Sequence, residues 1–315
     1  MVFMNVNVSS RNNPQRHPRQ WMVTLLAAAT VLVAGCSTGS AAKDTLQIKT
    51  SFYPLQYLTE QIGGEHVKVD SLTPPGTDAH SLELSPKTVN ELGAADGVIY
   101  LSGFQSAVDE AVAQTKPAHA LDVYDAASIQ ATGSASTKDN PLAGAKDPHF
   151  WLDASRMAKV ATQIGDFLAE LDPDHAKEYK DRGAAVSADM EALNKEMVAG
   201  LQQCELDTFI VSHEAFGYLA DQVGLRQVGV SGLDPEVAPS PERIKAISKL
   251  VKETGTKTIF TEVNVSPQVM QVLADDLGIT TATLDPIATL NDPQKDYPTL
   301  MRQDLEALRT GLGCK

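Results

Sequence analysis

His80, His149, His213 and Asp285 are far apart in the chain, yet each follows a short apolar or turn-rich stretch near the start of a new element. Three imidazole nitrogens and one carboxylate oxygen are the donors of a closed tetrahedral zinc site, because Zn²⁺ accepts nitrogen and hard oxygen and imposes no geometry of its own. Four scattered ligands carry no spacing signature. Each also has an ordinary alternative. His149, beside Pro148, could be a packed histidine satisfied by a backbone carbonyl; His213 could simply end a strand; and Asp285, before Pro286, could be a turn residue or helix cap. Of the other histidines, His17 lies near the N-terminus, and His66, His119 and His175 sit among charged, small or turn residues with no converging partner and are assigned to the surface.

The elements that must position these residues alternate between strand and helix. Leu46 to Ser51 reads as a strand, Phe52 to Ile62 as a helix stopped by Gly63 and Gly64, and Val67 to Leu72 as the second strand, ending in a Pro- and Gly-rich loop that delivers His80. Ser85 and Pro86 start a helix to about Ala95, and Gly97 to Leu101 is a third strand. Residues 126–146, rich in Ala, Ser, Thr and Gly, read as an exposed loop without histidine, and a helix runs from about Ser155 to Leu171. In the second half Thr208 to His213, Val228 to Val230, Thr258 to Val263 and Thr280 to Leu284 read as strands, separated by helices at 215–223, 241–253 and 268–277. Such alternation predicts α/β architecture with parallel sheets, and ligands of such sheets bind at the carboxyl ends of the strands, where His213 and Asp285 fall.

Between the halves, Asp172 is a good N-cap, Pro173 fits the first helical position, and apolar residues recur at helical spacing as far as residue 201. A helix over 172–203 would be a rod of about 45 Å, which suits a rigid backbone joining two lobes better than an element inside one. The pattern predicts two Rossmann-like lobes, 46–171 and 204–315, held by one long helix, with a coiled-coil helix as the alternative. A rigid rod also predicts modest rearrangement on metal release, within about ten degrees of lobe rotation.

The N-terminus sets the compartment. Arg11, Arg16 and Arg19 precede an uncharged run from Trp21 to Val33, the length of a signal-peptide apolar region and too short to span a bilayer. Val33-Ala34-Gly35-Cys36 then resembles the bacterial lipobox, which predicts a leader at 1–35, lipidation at Cys36 and a tether over 36–45; an ordinary secretory signal is the alternative. Removing that leader takes three arginines and no acidic residue, deepening a formal charge of −14, so nucleic acid is excluded as a partner. With Cys36 lipidated, Cys204 and Cys314 remain in an oxidising compartment, the arithmetic of one disulfide; a thiolate zinc site would need more cysteines.

Six ordered stretches carry a family resemblance: Phe52-Tyr53-Pro54, Pro75-Gly76-Thr77-Asp78-Ala79-His80-Ser81, Ala95-Asp96-Gly97-Val98-Ile99, Asp147-Pro148-His149-Phe150-Trp151-Leu152-Asp153, Val211-Ser212-His213-Glu214-Ala215-Phe216-Gly217-Tyr218 and Leu284-Asp285-Pro286. Together they resemble the zinc/manganese substrate-binding lipoproteins of ABC importers, a likeness that covers residues 46–315. It implies a monomeric, lipid-anchored receptor on the extracytoplasmic face of the cell membrane. One ion would lie between two lobes on His80, His149, His213 and Asp285, to be delivered to a permease driven by a cytoplasmic ATPase. Manganese-preferring members usually carry glutamate at the third position, so His213 points to zinc, with manganese or ferrous iron as the alternative cargo. The resemblance gives Glu262 a supporting role rather than ligation. Two departures stand out: residues 126–146 lack the histidine-rich loop of many zinc-specific members, and Ala154 replaces a common proline.

A secreted zinc hydrolase with Glu214 as general base is a more distant reading, because the His-Glu-x-x-His helix is missing. A closed four-ligand site serves transport or structure, so no catalysis is expected. Because ligation requires neutral imidazoles, affinity is expected to fall as pH drops through about 6.5.

Overall fold

The computed structural model describes residues 45–131 and 146–315; the leader, Cys36, nearly all of the tether and most of the 126–146 loop lie outside the described residues. The first half contains β1 (Leu46–Thr50), α1 (Tyr53–Gly63), β2 (Val67–Ser71), α2 (Pro86–Ala94), β3 (Gly97–Tyr100), α3 (Ser106–Thr115), β4 (Ala120–Asp122) and the single turn α4 (Tyr124–Ala127). Two helices follow, α5 (Ala154–Leu171) and α6 (Ala176–Gly200). The second half contains β5 (Thr208–Val211), α7 (Gly217–Val223), β6 (Arg226–Gly229), α8 (Pro241–Thr254), β7 (Thr258–Glu262), α9 (Gln268–Leu277), β8 (Thr280–Leu284) and α10 (Tyr297–Leu312).

Each half builds one four-stranded parallel sheet, ordered β2-β1-β3-β4 and β6-β5-β7-β8. In both, the chain adds its second strand on one side of the first and its third on the other. The crevices beyond β1/β3 and β5/β7 are therefore the switch points at which ligands of such sheets bind. The architecture is α/β with two lobes, as the strand and helix pattern predicts. Local chemistry sets the helix starts: Ser85 and Ser240 accept hydrogen bonds from the backbone amides of Thr88 and Arg243, with Pro86 and Pro241 in the first turns.

The connecting helix starts later than the sequence predicts. Asp172 does not cap it, because its Oδ2 accepts from His175 Nδ1 at 2.7 Å and from the Tyr179 hydroxyl at 3.0 Å. Pro173–His175 instead form a 3-10 turn, and α6 keeps 25 residues, a rod of about 37 Å. His175 also stacks on His66, ring centroids 3.8 Å apart, while His66 Nε2 lies 3.3 Å from Glu178 Oε2. Two histidines assigned separately to the surface thus meet each other, although 109 residues of chain hide the fact.

Helices α5 and α6 touch backbone to backbone. A Cβ added to Gly165 would lie 3.0 Å from the Tyr179 carbonyl oxygen, and one on Gly183 would lie 3.2 Å from the Gly165 Cα. Further along, Met190, Leu193 and Met197 enter a core that continues through Phe209 and Phe216 to Leu305 and Leu308 of α10. Trp151, fully buried, donates its indole N–H to the Pro286 carbonyl at 2.7 Å and so ties the first half to the loop beyond β8. Cys204 and Cys314 are joined by a disulfide across 110 residues, beside backbone hydrogen bonds from Glu205 and Leu206 to the Leu312 carbonyl.

Candidate metal centre

His80 stands in the loop after β2, held by the crevice beside it. Gln105, in the loop after β3, donates through Nε2 to Thr73 Oγ1 at 2.9 Å and to the Ala79 carbonyl at 3.1 Å. Asp78 Oδ1 accepts the His80 backbone amide at 3.1 Å, and the Phe104 ring meets the imidazole edge-on at 5.0 Å. His149 uses the same Asp-x-His arrangement more fully: Asp147 Oδ1 accepts its backbone amide at 3.0 Å and its ring Nδ1 at 2.8 Å. The 3-10 turn Phe150–Leu152 that follows is buried, so the ring is fixed from both sides.

His213 lies two residues beyond β5, and Glu262 is the last residue of the adjacent strand β7. Glu262 therefore takes the His213 backbone amide with Oε1 at 3.0 Å and the ring Nδ1 with Oε2 at 2.5 Å. Asp147 Oδ1, which already accepts a backbone N–H, and Glu262 Oε2 are the acceptors, so Nδ1 carries the proton in His149 and His213, and the Nε2 lone pairs of these two rings face inward.

Those lone pairs converge. The His149 Nε2 lies 3.1 Å from the His80 Nε2 and 3.3 Å from the His213 Nε2, and the three donor atoms all fall within 4.8 Å of one another. Lone pairs this close repel unless a proton or cation lies between them. A tetrahedron with metal–nitrogen bonds of about 2.0–2.1 Å has edges of roughly 3.3 Å, which is the spacing of the two pairs that His149 makes. The cavity they line is about 20 Å³, room for one bare ion or one water.

Glu262→Gln is expected to weaken zinc binding by about 10- to 100-fold, because an amide cannot accept from both the His213 backbone and ring nitrogens, and ring orientation is lost with the second bond. Isothermal titration with the circular dichroism spectrum unchanged would show it; wild-type affinity in the variant would remove Glu262 from the account.

Asp285 stands just beyond β8 at the same end of the second sheet, and the neighbouring Pro286 lines the cavity. Its carboxylate is not part of the convergent group. Oδ1 accepts the Ile287 amide at 2.8 Å in a tight turn that puts Ile287 at φ 54°, Asn291 also bonds the carboxylate, and the Asp285 amide donates to buried Asp304 at 2.8 Å. Three of the four expected ligands are thus brought together, while the fourth stays in local hydrogen bonds beside Pro286, which lines the cavity. Glu214, the candidate base, is buried; its Oε1 lies 3.4 Å from both the Gly229 amide and Arg243 Nη2 and serves the loop behind β6. Asp147 and Gln105 carry no role in the sequence reading, although Asp147 repeats the Asp-x-His spacing of Asp78.

The protonation chemistry differs from the value expected for free histidine. Burial and the neighbouring His213 pull His80 down to about 4, and burial with repulsion from His80 and His213 holds His149 well below its ordinary value. Asp147 moves the other way, pushed up to about 7 by burial against the pull of the His149 amide. Protons compete with the ion only below the pKa of the empty ligand. At His80 the loss of zinc affinity to protons is therefore expected as pH drops through about 4, rather than through 6.5. Below the ordinary histidine value His80 and His149 bind more protons in the unfolded chain than in the fold and so destabilise the metal-free fold as pH falls, while Asp147, raised in the fold, opposes them by taking up a proton there as pH falls through about 7. Chelator competition on wild type and a His80→Ala variant checks the His80 window: the affinity ratio between them should hold down to about pH 5 and shrink through about 4, and a ratio already shrinking between pH 7 and 6 would contradict it.

Two α/β lobes with a histidine cluster at their sheet ends are the arrangement of a solute-binding receptor. The chain belongs to the ZnuA family, zinc-uptake complex component A, periplasmic, whose model matches residues 48–311. It is 30% identical over 291 residues to the zinc-binding protein AdcA of Streptococcus pyogenes serotype M6, covering 85% of this chain but 56% of that relative. The chain thus spans little more than half the length of that curated relative. To the high-affinity zinc uptake system protein ZnuA of Bacillus subtilis it is 29% identical over 306 residues, covering 91% of this chain and 96% of the relative. Among solved structures, the Zn(II)-bound ZnuA-like domain of Streptococcus pneumoniae AdcA superposes with a TM-score of 0.70 at 29% identity, over 85% of this chain and 99% of that one. The laminin-binding protein Lmb of Streptococcus agalactiae, described as bifunctional with adhesin and metal transporting activity, gives 0.72 at 29% identity over the same shares.

Proposed function

We propose that this protein is the extracytoplasmic zinc receptor of an ABC importer, anchored through Cys36, which captures one Zn²⁺ between lobes 46–171 and 204–315 and presents it to a permease driven by a cytoplasmic ATPase. The observation that carries this reading is the convergence of three Nε2 atoms, two pairs of them at tetrahedral-edge spacing, with two of the rings oriented by buried carboxylates. Asp285 completes the set by turning from its local hydrogen bonds, the one ligand whose approach needs movement. A closed set of four leaves no place for a substrate water, and Glu214 is turned to Arg243, so the protein binds its cargo without transforming it. Among the described residues no helix is long and apolar enough to cross a membrane, in keeping with a tethered body.

The test is a metal competition on protein lacking the lipid. After chelator stripping, calorimetric titration is expected to show one-to-one binding of Zn²⁺, tighter than Mn²⁺. Preference for manganese would keep the receptor and change its cargo, and binding of neither would overturn the reading.

A further inference from the structure

The two Asp-x-His segments of the centre are used unequally. Asp147 Oδ1 accepts from both the backbone amide and the ring Nδ1 of His149, whereas Asp78 Oδ1 accepts the His80 backbone amide and Asp78 Oδ2 is buried without a hydrogen-bond partner. Asp78 lines the same cavity as the three histidines, and no lysine or arginine lines it to neutralise the bare oxygen. A desolvated carboxylate oxygen without a donor costs free energy, and such groups call for a ligand or a functional reason. Exposure also has a direction here: Asp78 and His80 are partly exposed, while His149 and His213 are buried. Asp78 and His80 thus belong to the open side of the cavity, together with exposed Asn264 and partly exposed Pro235 and Val265, and an ion entering there meets them before His149 and His213. Asp78 is nevertheless outside the group of atoms lying within 4.8 Å of one another, so it does not share the final cage.

We infer that Asp78 is an entry ligand, whose Oδ2 takes the incoming divalent cation together with His80 before the ion moves inward to His149 and His213, and receives it again on the way out. The inference rests on the zinc-receptor reading. It has a kinetic signature that other roles lack. A ligand used on the path but not in the final state speeds arrival and departure alike, so its loss slows both and leaves the equilibrium in place.

Asp78→Asn is the suitable variant, since the amide oxygen still accepts the His80 backbone N–H while the anionic oxygen is gone; Asp78→Ser, which also keeps an acceptor, is the second. Stopped-flow association of Zn²⁺ and its chelator-triggered release, at low and high salt, are measured on wild type and both variants. Losing one charged contact on the path is expected to lower both rate constants about tenfold with Kd within about threefold. Faster release with unchanged association would make Asp78 a ligand of the bound state, and slower association alone, erased by salt, would reduce it to general attraction. Either result, or unchanged rates, overturns the inference. Absence of zinc binding by the wild type would instead remove the receptor reading on which it stands.

Discussion

His149→Ala is expected to weaken zinc binding by more than the 10- to 100-fold typical of losing a group that merely orients a ligand. His149 is the shared neighbour of the cage, with both other Nε2 atoms close to its own, so its removal deletes a donor and leaves His80 and His213 without a common bridge. Burial enlarges the effect. The ring is fully enclosed, and its loss strips Asp147 of the ring N–H it accepts, leaving a buried carboxylate with the backbone amide of residue 149. Lower thermal stability should therefore accompany lost affinity, whereas His80→Ala, at a partly exposed position, should cost affinity with less effect on the fold. Calorimetry and thermal melts of the two variants side by side check the contrast. Retention of wild-type affinity by His149→Ala would place the ion elsewhere.

Reducing the Cys204–Cys314 disulfide, or replacing both cysteines with serine, is expected to be the most costly change outside the centre. The bond closes a loop of 110 residues, for which chain entropy gives up to about 4–5 kcal/mol. The damage should also reach the cavity. Helix α10, next to the bond, carries Asp304, which holds the Asp285 amide, and Tyr297, whose hydroxyl donates to the Trp151 carbonyl. Denaturant midpoints with and without reductant measure the loss, and saturating zinc should recover part of it because the ion binds the folded chain. A midpoint unmoved by reduction would show that hydrogen bonds from Glu205 and Leu206 to Leu312 suffice to hold the terminus.

The elements that carry the histidines were legible because their signals are local. Apolar runs ending at His213, a Pro- and Gly-rich loop ending at His80, and Ser-Pro caps at 85 and 240 appear in the sequence as they do in the fold. What escaped depends on neighbours distant in the chain. β4 is three residues long and makes a strand by pairing with β3. The start of α6 shifts because His175 and Tyr179 claim the carboxylate of Asp172. Asp285 was readable as a residue at a strand exit, but not the turn and the Asn291 contact that occupy its oxygens. The pH window of His80 moved for the same reason, since burial and neighbouring rings lower the basicity of His80 and His149 and no single histidine in a sequence shows its company. Helix α10 did leave a trace: Asp296 before Tyr297-Pro298, with apolar residues at 300, 301, 305, 308 and 312, is a capped amphipathic pattern that the sequence reading passed over.

The glycine contact between α5 and α6 bears on where the two halves can part. Where two rods meet with no side chains between them, neither can roll or slide over the other without backbone collision, so the pair behaves as a splint. The thinner joints are then the Trp151 hydrogen bond to the Pro286 carbonyl and the loop bearing Asp285, while the His149 and His213 rings stay braced by Asp147 and Glu262 whichever way those joints give.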